Sequence, residues 1–274
     1  MRIEKAMLVF KKDWREIRRN WQVILPIVVV PLMISVFLPV ILGVIPSFAV
    51  NQGSSLNGFE TLIGNLPNHV QEQLAGMTET QVMIYVMAIY FFAPFFLIIP
   101  LMASSVIASD SFAGEKERKT IEALLATPIS DGELFFGKML VSFIPSMIVT
   151  IVSFAIYTAV FDIIAYGLFN GMLLLPTIDW ILLIFGLAPT VALASIGLTV
   201  MISAKVKGFR EAQQISVILL IPVLALVFGQ VTGAIIFGPL VILALIGLFG
   251  LVDFAVFRAG VTLFKREEIL TKLA

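Results

Sequence analysis

SDSFAGEKERKTIEALLATPISDGELFFGK, residues 109–138, is a charged island between two long apolar runs, and its reading decides how the whole chain is laid out. Thr120 to Ala126 favours helix, and Thr127-Pro128 stops it, because a residue before proline is pushed out of the α region. Ile121, Leu124 and Leu125 fall at i, i+3 and i+4, one apolar ridge. Glu115, Lys116, Arg118, Lys119 and Glu122 lie in or just before that ridge. A short amphipathic helix held between two membrane spans can press its ridge into another protein and transmit a push.

Composition supports the membrane setting. Of 274 residues 59% are hydrophobic and only 13% charged, with mean hydropathy +1.05. Average soluble domains carry about 25% charged residues. The formal net charge is zero, which argues against a nucleic-acid partner. Absence of cysteine excludes disulfides, thiol catalysis and cysteine-ligated metals. The first apolar run is too long and begins too late for a cleaved signal peptide, so an uncleaved first span is expected.

Apolar runs long enough to cross about 30 Å of hydrocarbon lie near Val23–Ile45, Val82–Ala108, Met139–Phe161, Ile181–Ser203, Ile215–Val231 and Ala234–Phe257. No charge interrupts Ala212 to Val252, yet one helix of that length would run about 60 Å, twice the need of a single span. Two spans with a turn near Gly229–Gly233 fit better; Gly238-Pro239 is the alternative mark of a re-entrant hairpin. Segment 163–178, broken by Gly167, Asn170, Gly171 and Pro176, reads as an outer-surface or re-entrant piece.

Charge sorting sets the topology. With six spans, seven Lys/Arg precede Val23, four lie between spans two and three, three in Lys205–Arg210 and four after Phe257, all eighteen in the chain. The other loops hold none, but do hold Glu60, Glu72, Glu79, Asp162 and Asp179. By the positive-inside rule both termini are expected in the cytoplasm. The expected architecture is therefore an all-α integral membrane protein of six transmembrane helices, a single transmembrane domain over 1–274. It comprises an interfacial helix (1–21), an extracellular loop (46–80), a cytoplasmic loop carrying the short amphipathic helix (110–138) and a cytoplasmic tail (258–274). In the outer loop, Asn68–Leu74 reads as a short helix, and the single histidine, His69, as a bystander.

Before the first span, Ile3, Met7, Phe10, Trp14, Ile17 and Trp21 make an apolar stripe on a basic helix. Such a helix lies in the membrane interface, with Arg18 and Arg19 among the residues near anionic headgroups. Either it only anchors the chain, or it is also a lever that touches a cytoplasmic partner.

The spans themselves offer little chemistry. Ion-coupled carriers usually place titratable groups inside their spans. Here Asp162 and Asp253 lie near span ends, where solvation at the interface is their expected role. No catalytic, cofactor or metal residue is expected. Gly132-Glu-Leu-Phe-Phe-Gly137-Lys138 matches the start of a phosphate-binding loop, but Met139 stands where magnesium needs Ser or Thr, and neither the preceding strand nor the soluble helix is there. Ser130 with Glu133 reads instead as a capping box that opens the third span, and Lys138 as an anchor at its inner end. Ala188, Ala192, Ser195 and Thr199 form a small-residue stripe on the fourth span, a candidate seam for a second copy.

Residues Glu115-Lys-Glu117-Arg118-Lys-Thr120-Ile-Glu122-Ala-Leu124-Leu125-Ala-Thr-Pro128, with Glu133 and Gly137-Lys138, resemble the permease subunits of the ABC-2 exporter family, the type V exporters. The pattern there is Glu-x-Glu-Arg-Gly-Thr-(Leu/Ile)-Glu-x-Leu-Leu-x-(Ser/Thr)-Pro; this chain departs at Lys119, where glycine is frequent. Phe10–Arg19 resembles the family's basic pre-span helix and Phe264–Leu270 its ending, closest to the sodium- and drug-efflux subgroup. The resemblance implies a multi-pass permease in a prokaryotic plasma membrane, paired with a second permease, as a homodimer or with a relative. Two separate ATPase subunits would bind ATP and magnesium. It also implies that Glu115, Glu117, Arg118, Thr120, Ile121, Glu122, Leu124 and Leu125 contact or position the ATPase. A pathway without charge fits an amphipathic or lipid-like cargo, though sodium, peptide and drug efflux occur among relatives. The alternative is a membrane anchor that recruits a soluble factor through the charged loop.

Overall fold

A computed structural model describes residues 3–44, 68–120, 127, 129–232, 235 and 237–263. Helix α1 (Ile3–Ile17) precedes α2 (Trp21–Val44), and α3 (Asn68–Leu74) precedes α4 (Glu79–Glu117). Then come α5 (Asp131–Ala165), α6 (Ile178–Lys205), α7 (Phe209–Gln230) and α8 (Pro239–Leu263). Helices α2 and α4 to α8 are each long and apolar enough to cross a bilayer, and they coincide with the six expected runs. Most of the outer loop, residues 45–67, and the tail from 264 onward lie outside the described residues, as do Ile121 to Ala126.

Helix α4 is the centre of the bundle: 67% of its most apolar window is buried, against 11% for α8. It packs chiefly on α5 and α6, and α8 closes the far side of α6. At α6 the close approach to α8 requires Gly197, because a Cβ there would lie 2.2 Å from Val256 Cγ1. Ala188, Ala192, Ser195 and Thr199 are all buried within this one chain, and Ser195 donates its hydroxyl to Leu101 O at 3.0 Å. The small-residue stripe is therefore an internal seam between α6 and its neighbours, and the sequence expectation of a seam for a second copy is corrected. Small residues permit close approach to any helix, and periodicity does not say which one.

The half of the bundle remote from the charged loops is pinned on a wide turn of α4. Residues Met87–Phe91 form a π-helical turn in which Phe92 N–H donates to Met87 O at 3.0 Å and so bypasses Ala88 O. Pro94 has no N–H to give Tyr90 O. Three consecutive carbonyls then take side-chain donors from three other helices. Tyr157 Oη of α5 donates to Ala88 O (2.9 Å), Trp180 Nε1 of α6 to Ile89 O (3.0 Å), and Gln230 Nε2 of α7 to Tyr90 O (2.6 Å). Rings stack around this point: Trp180 lies parallel to Phe154 and Tyr157, and Phe96 meets both Tyr157 and Trp180 edge-on. Buried backbone groups need partners, and here the donors double as the aromatic core.

Segment 163–178 is a turn at the end of the bundle remote from the charged loops: α5 runs to Ala165, and the chain reverses through Asn170 (φ 53°) and Gly171 (φ 83°). Asp162 is buried and accepts N–H bonds from Leu174 (3.1 Å) and Leu175 (3.3 Å). The expected solvation role for Asp162 is thus corrected: its carboxylate holds the turn. Gln81 ties the same turn to the start of α4 by donating to Leu168 O at 2.6 Å. At the next reversal Ile235 N–H donates to Gly229 O at 3.0 Å, Phe237 is buried in the main core, and α8 starts at Pro239.

Candidate functional site

The charged segments converge at the opposite end. Helices α4 and α5 contain 39 and 35 residues, so at about 1.5 Å per residue each exceeds the ~30 Å of hydrocarbon by several turns. Part of the excess is charged: Asp110–Glu117 closes α4 and Asp131–Lys138 opens α5. The capping box forms as expected. Ser130 Oγ accepts from Glu133 N–H (3.3 Å), and the Glu133 carboxylate accepts from Ser130 N–H (3.1 Å).

Helix α1 lies against this opening stretch of α5. Its buried positions are Ala6, Val9, Asp13 and Ile17, spaced by three and four. Gly137 makes the contact possible, since a Cβ there would sit 2.7 Å from Ala6 O and 2.9 Å from Val9 Cβ. The packed stripe is therefore rotated from the Ile3–Met7–Phe10–Trp14 stripe of the sequence reading and shares only Ile17 with it. Ile3 and Met7 are exposed, and Phe10 and Trp14 half-buried. Arg18 and Arg19 are exposed beyond the helix end.

Where α1, α4 and α5 meet, Lys138 is fully buried. Its ammonium reaches Glu115 Oε2 (2.5 Å), Asp13 Oδ2 (3.3 Å), Ser111 O (2.5 Å) and Ser111 Oγ (3.2 Å), and lies 5.3 Å from the centre of the Phe112 ring. Ser111 Oγ in turn donates to Asp13 Oδ2 at 2.7 Å. Lys12 closes the group from the rim, pairing with Glu115, with Asp13 at 3.2 Å and with Glu16 at 3.4 Å. Two buried carboxylates are thus matched by two ammoniums, which is what makes burial of charge tolerable. Burial by itself pushes the Asp13 carboxyl up, but Lys138 and Lys12 more than offset it and hold it below the ordinary carboxylate range. Burial lowers the Lys12 ammonium, but the carboxylates of Asp13, Glu115 and Glu16 outweigh that and raise it. Asp13, Glu16 and Glu115 bring their oxygens close enough to hold a metal ion, but the Lys12 ammonium already pairs with all three.

The remaining charges of the loop also bond inward. Lys116 donates to Val206 O at 3.0 Å, at the end of α6. Glu117 Oε2 accepts from Phe209 N–H at 2.9 Å and so caps the start of α7. Arg118 donates to Asp110 Oδ1 at 2.9 Å, and Asn20, the residue that caps α2, donates to the same oxygen at 3.1 Å. Asp110 and Glu16, with Glu115, raise the Arg118 guanidinium against the lowering effect of burial. Thr120 Oγ1 bonds back to Glu115 O at 3.3 Å. The Glu-Lys-Glu-Arg run is a clasp joining the junction of α1 and α2, α4, α5, and the turn from α6 to α7.

Of the expected contact residues, Glu115 is sealed inside this clasp. Glu117, Arg118 and Thr120 are exposed, but each side chain bonds inward. Ile121, Glu122, Leu124 and Leu125 lie outside the described residues. Lys119 occupies the left-handed region at φ 57°, just past the helix end. Glycine adopts that conformation without strain and ends many helices in this way. The departure at Lys119 therefore falls on a strained backbone position, which the sequence reading did not recognise. The sequence reading placed Lys138 in the motif as an anchor at the inner end of its span, but missed Asp13 and did not foresee that the two are buried together.

A protein-family model described as ABC-2 family transporter protein matches residues 7–257. The match takes in most of α1, all of α2 to α7 and most of α8, with the entire clasp. No curated protein matches the chain.

Proposed function

Since this chain belongs to the ABC-2 transporter family and forms a membrane subunit of an ABC transport system, we propose that it is the permease of an ATP-driven exporter. The clasp end faces the cytoplasm. A separate pair of ATPase subunits binds ATP and magnesium there, and their closure switches a pair of permeases so that substrate leaves outward.

The observation that carries this reading is the clasp. The segment between Arg118 and Ser130 connects two overlong helices whose roots are locked by Lys138, Asp13 and Glu115. A push on that segment reaches α1, α4, α5 and the α6–α7 turn together, because each is bonded to the same few charges. The ridge of Ile121, Leu124 and Leu125 fills a groove on the ATPase, and exposed Glu117 and Arg118 set its orientation.

Substituting Leu124→Asp with Leu125→Asp tests the ridge without touching the clasp. Co-purification of the ATPase and ATP-dependent transport in vesicles are both expected to disappear, with the thermal unfolding of the permease unchanged. Survival of both would end the coupling reading.

A further inference from the structure

The basic side chains on α1, just beyond it and in the clasp include two contrasting groups of four. Lys12, Lys116, Arg118 and Lys138 each bond to a named internal acceptor. Lys11, Arg15, Arg18 and Arg19 are exposed, have no carboxylate partner among the described residues, and line one open concavity of about 530 Å³ together with Trp14. Arg18 lies over the Trp14 ring, 5.9 Å from its centroid.

The helix geometry identifies the anion that would satisfy them. At about 100° per residue, Lys11, Arg15 and Arg18 share a face roughly 150° from the packed stripe of Ala6, Val9, Asp13 and Ile17. Between the two, about 90° round, runs the apolar flank of Ile3, Met7, Phe10 and Trp14. Trp21 follows at the start of α2 and is 71% exposed. A helix with an apolar flank beside a basic face, leading directly into a span, is built to lie at the bilayer surface with its cations at phosphate depth. A protein partner's acidic surface would not require the apolar flank or the exposed tryptophan.

We propose that Lys11, Trp14, Arg15, Arg18 and Arg19 form a binding site for the phosphate of an anionic phospholipid in the leaflet at the clasp end. Paired arginines suit a phosphodiester because the guanidinium fork offers two parallel donors, and Trp14 holds Arg18 in place. The site is independent of the ATPase reading, since none of its residues belongs to the clasp.

The test uses the full-length protein in nanodiscs of mixed phosphatidylcholine and phosphatidylglycerol, with retained lipid counted by native mass spectrometry. Wild type is expected to retain phosphatidylglycerol selectively. Arg15→Gln with Arg18→Gln should lower that retention roughly 30-fold, about fivefold per cation, whereas Lys205→Gln with Lys207→Gln should not. Free glycerol phosphate added to phosphatidylcholine discs should not occupy the site. As a measurement on the unaltered chain, brominated phosphatidylglycerol should quench Trp14 fluorescence more than brominated phosphatidylcholine does, with Trp14→Phe identifying the signal. Equal retention in the two variants, equal quenching by the two lipids, or tight binding of free glycerol phosphate would each overturn the proposal. So would loss of ATPase association in the arginine variant with lipid retention intact, which would assign the face to the protein partner.

Discussion

The two ends of the same helices are held by opposite means. At the clasp end α1, α4 and α5 meet on a buried ammonium among carboxylates. In the remote half α4, α5, α6 and α7 meet on neutral donors and stacked rings. The difference follows the solvent. Within hydrocarbon an uncompensated charge is expensive, so helices there are joined by tyrosine, tryptophan and glutamine tips on carbonyls freed by a π turn and a proline. At the basic end charge can be brought together and neutralised. A neutral joint loses strength one bond at a time, whereas an ionic one fails as a unit when a single partner is removed.

The largest expected effect therefore comes from Lys138→Met, which strands Asp13 and Glu115 without their buried cation. A loss of about 3–5 kcal/mol is expected in denaturant unfolding. Adding Asp13→Asn and Glu115→Gln should recover most of it, because the buried charges are then gone together. Failure of the triple variant to recover would mean that the clasp is not the ionic unit described here.

Acid offers a second way to break that end selectively. The folded-state pKa of Asp13 is depressed, so its contribution is present above the unfolded value of about 3.9 and is lost as pH falls through the lower folded value. Thermal stability of the wild type should drop below about pH 4, and Asp13→Asn should flatten that part of the profile. An unchanged profile would remove Asp13 from the clasp.

Effects in the remote half should be smaller. Tyr157→Phe removes one hydrogen bond to Ala88 O while keeping the stacked ring, for a loss of about 1 kcal/mol. Gln230→Leu leaves Tyr90 O unpaired beside Pro94 and should cost about 1–2 kcal/mol. The two should add, since they act on separate carbonyls; a strong coupling between them would show the ring cluster to be as unitary as the clasp. The smallest effect is a gain: Lys119→Gly relieves the left-handed backbone and should stabilise by about 0.5–1 kcal/mol, read from the unfolding midpoint.

Much of the layout was legible in the residues alone. Six apolar runs of sufficient length, the short helix at Asn68–Leu74 and the capping box at Ser130 and Glu133 are local patterns, and local patterns survive folding. The clasp was not legible as a clasp. Charges at 115 to 118 read as outward contacts for a partner, because helical spacing reports only neighbours within a turn or two. Their partners Lys12, Val206 and Phe209 lie about ninety to one hundred residues away.

By itself, then, the sequence determined how many helices cross, the confinement of basic residues to alternate loops, and the family motif that marks the loop after α4. Only the tertiary structure decided that the motif's charges turn inward, that Lys138 is buried rather than at the surface, and that the small-residue stripe of α6 is spent inside the chain. The reason is physical: hydrophobic length and charge sorting are properties of a segment against the bilayer. The neutralisation of a buried charge is a property of two segments brought together.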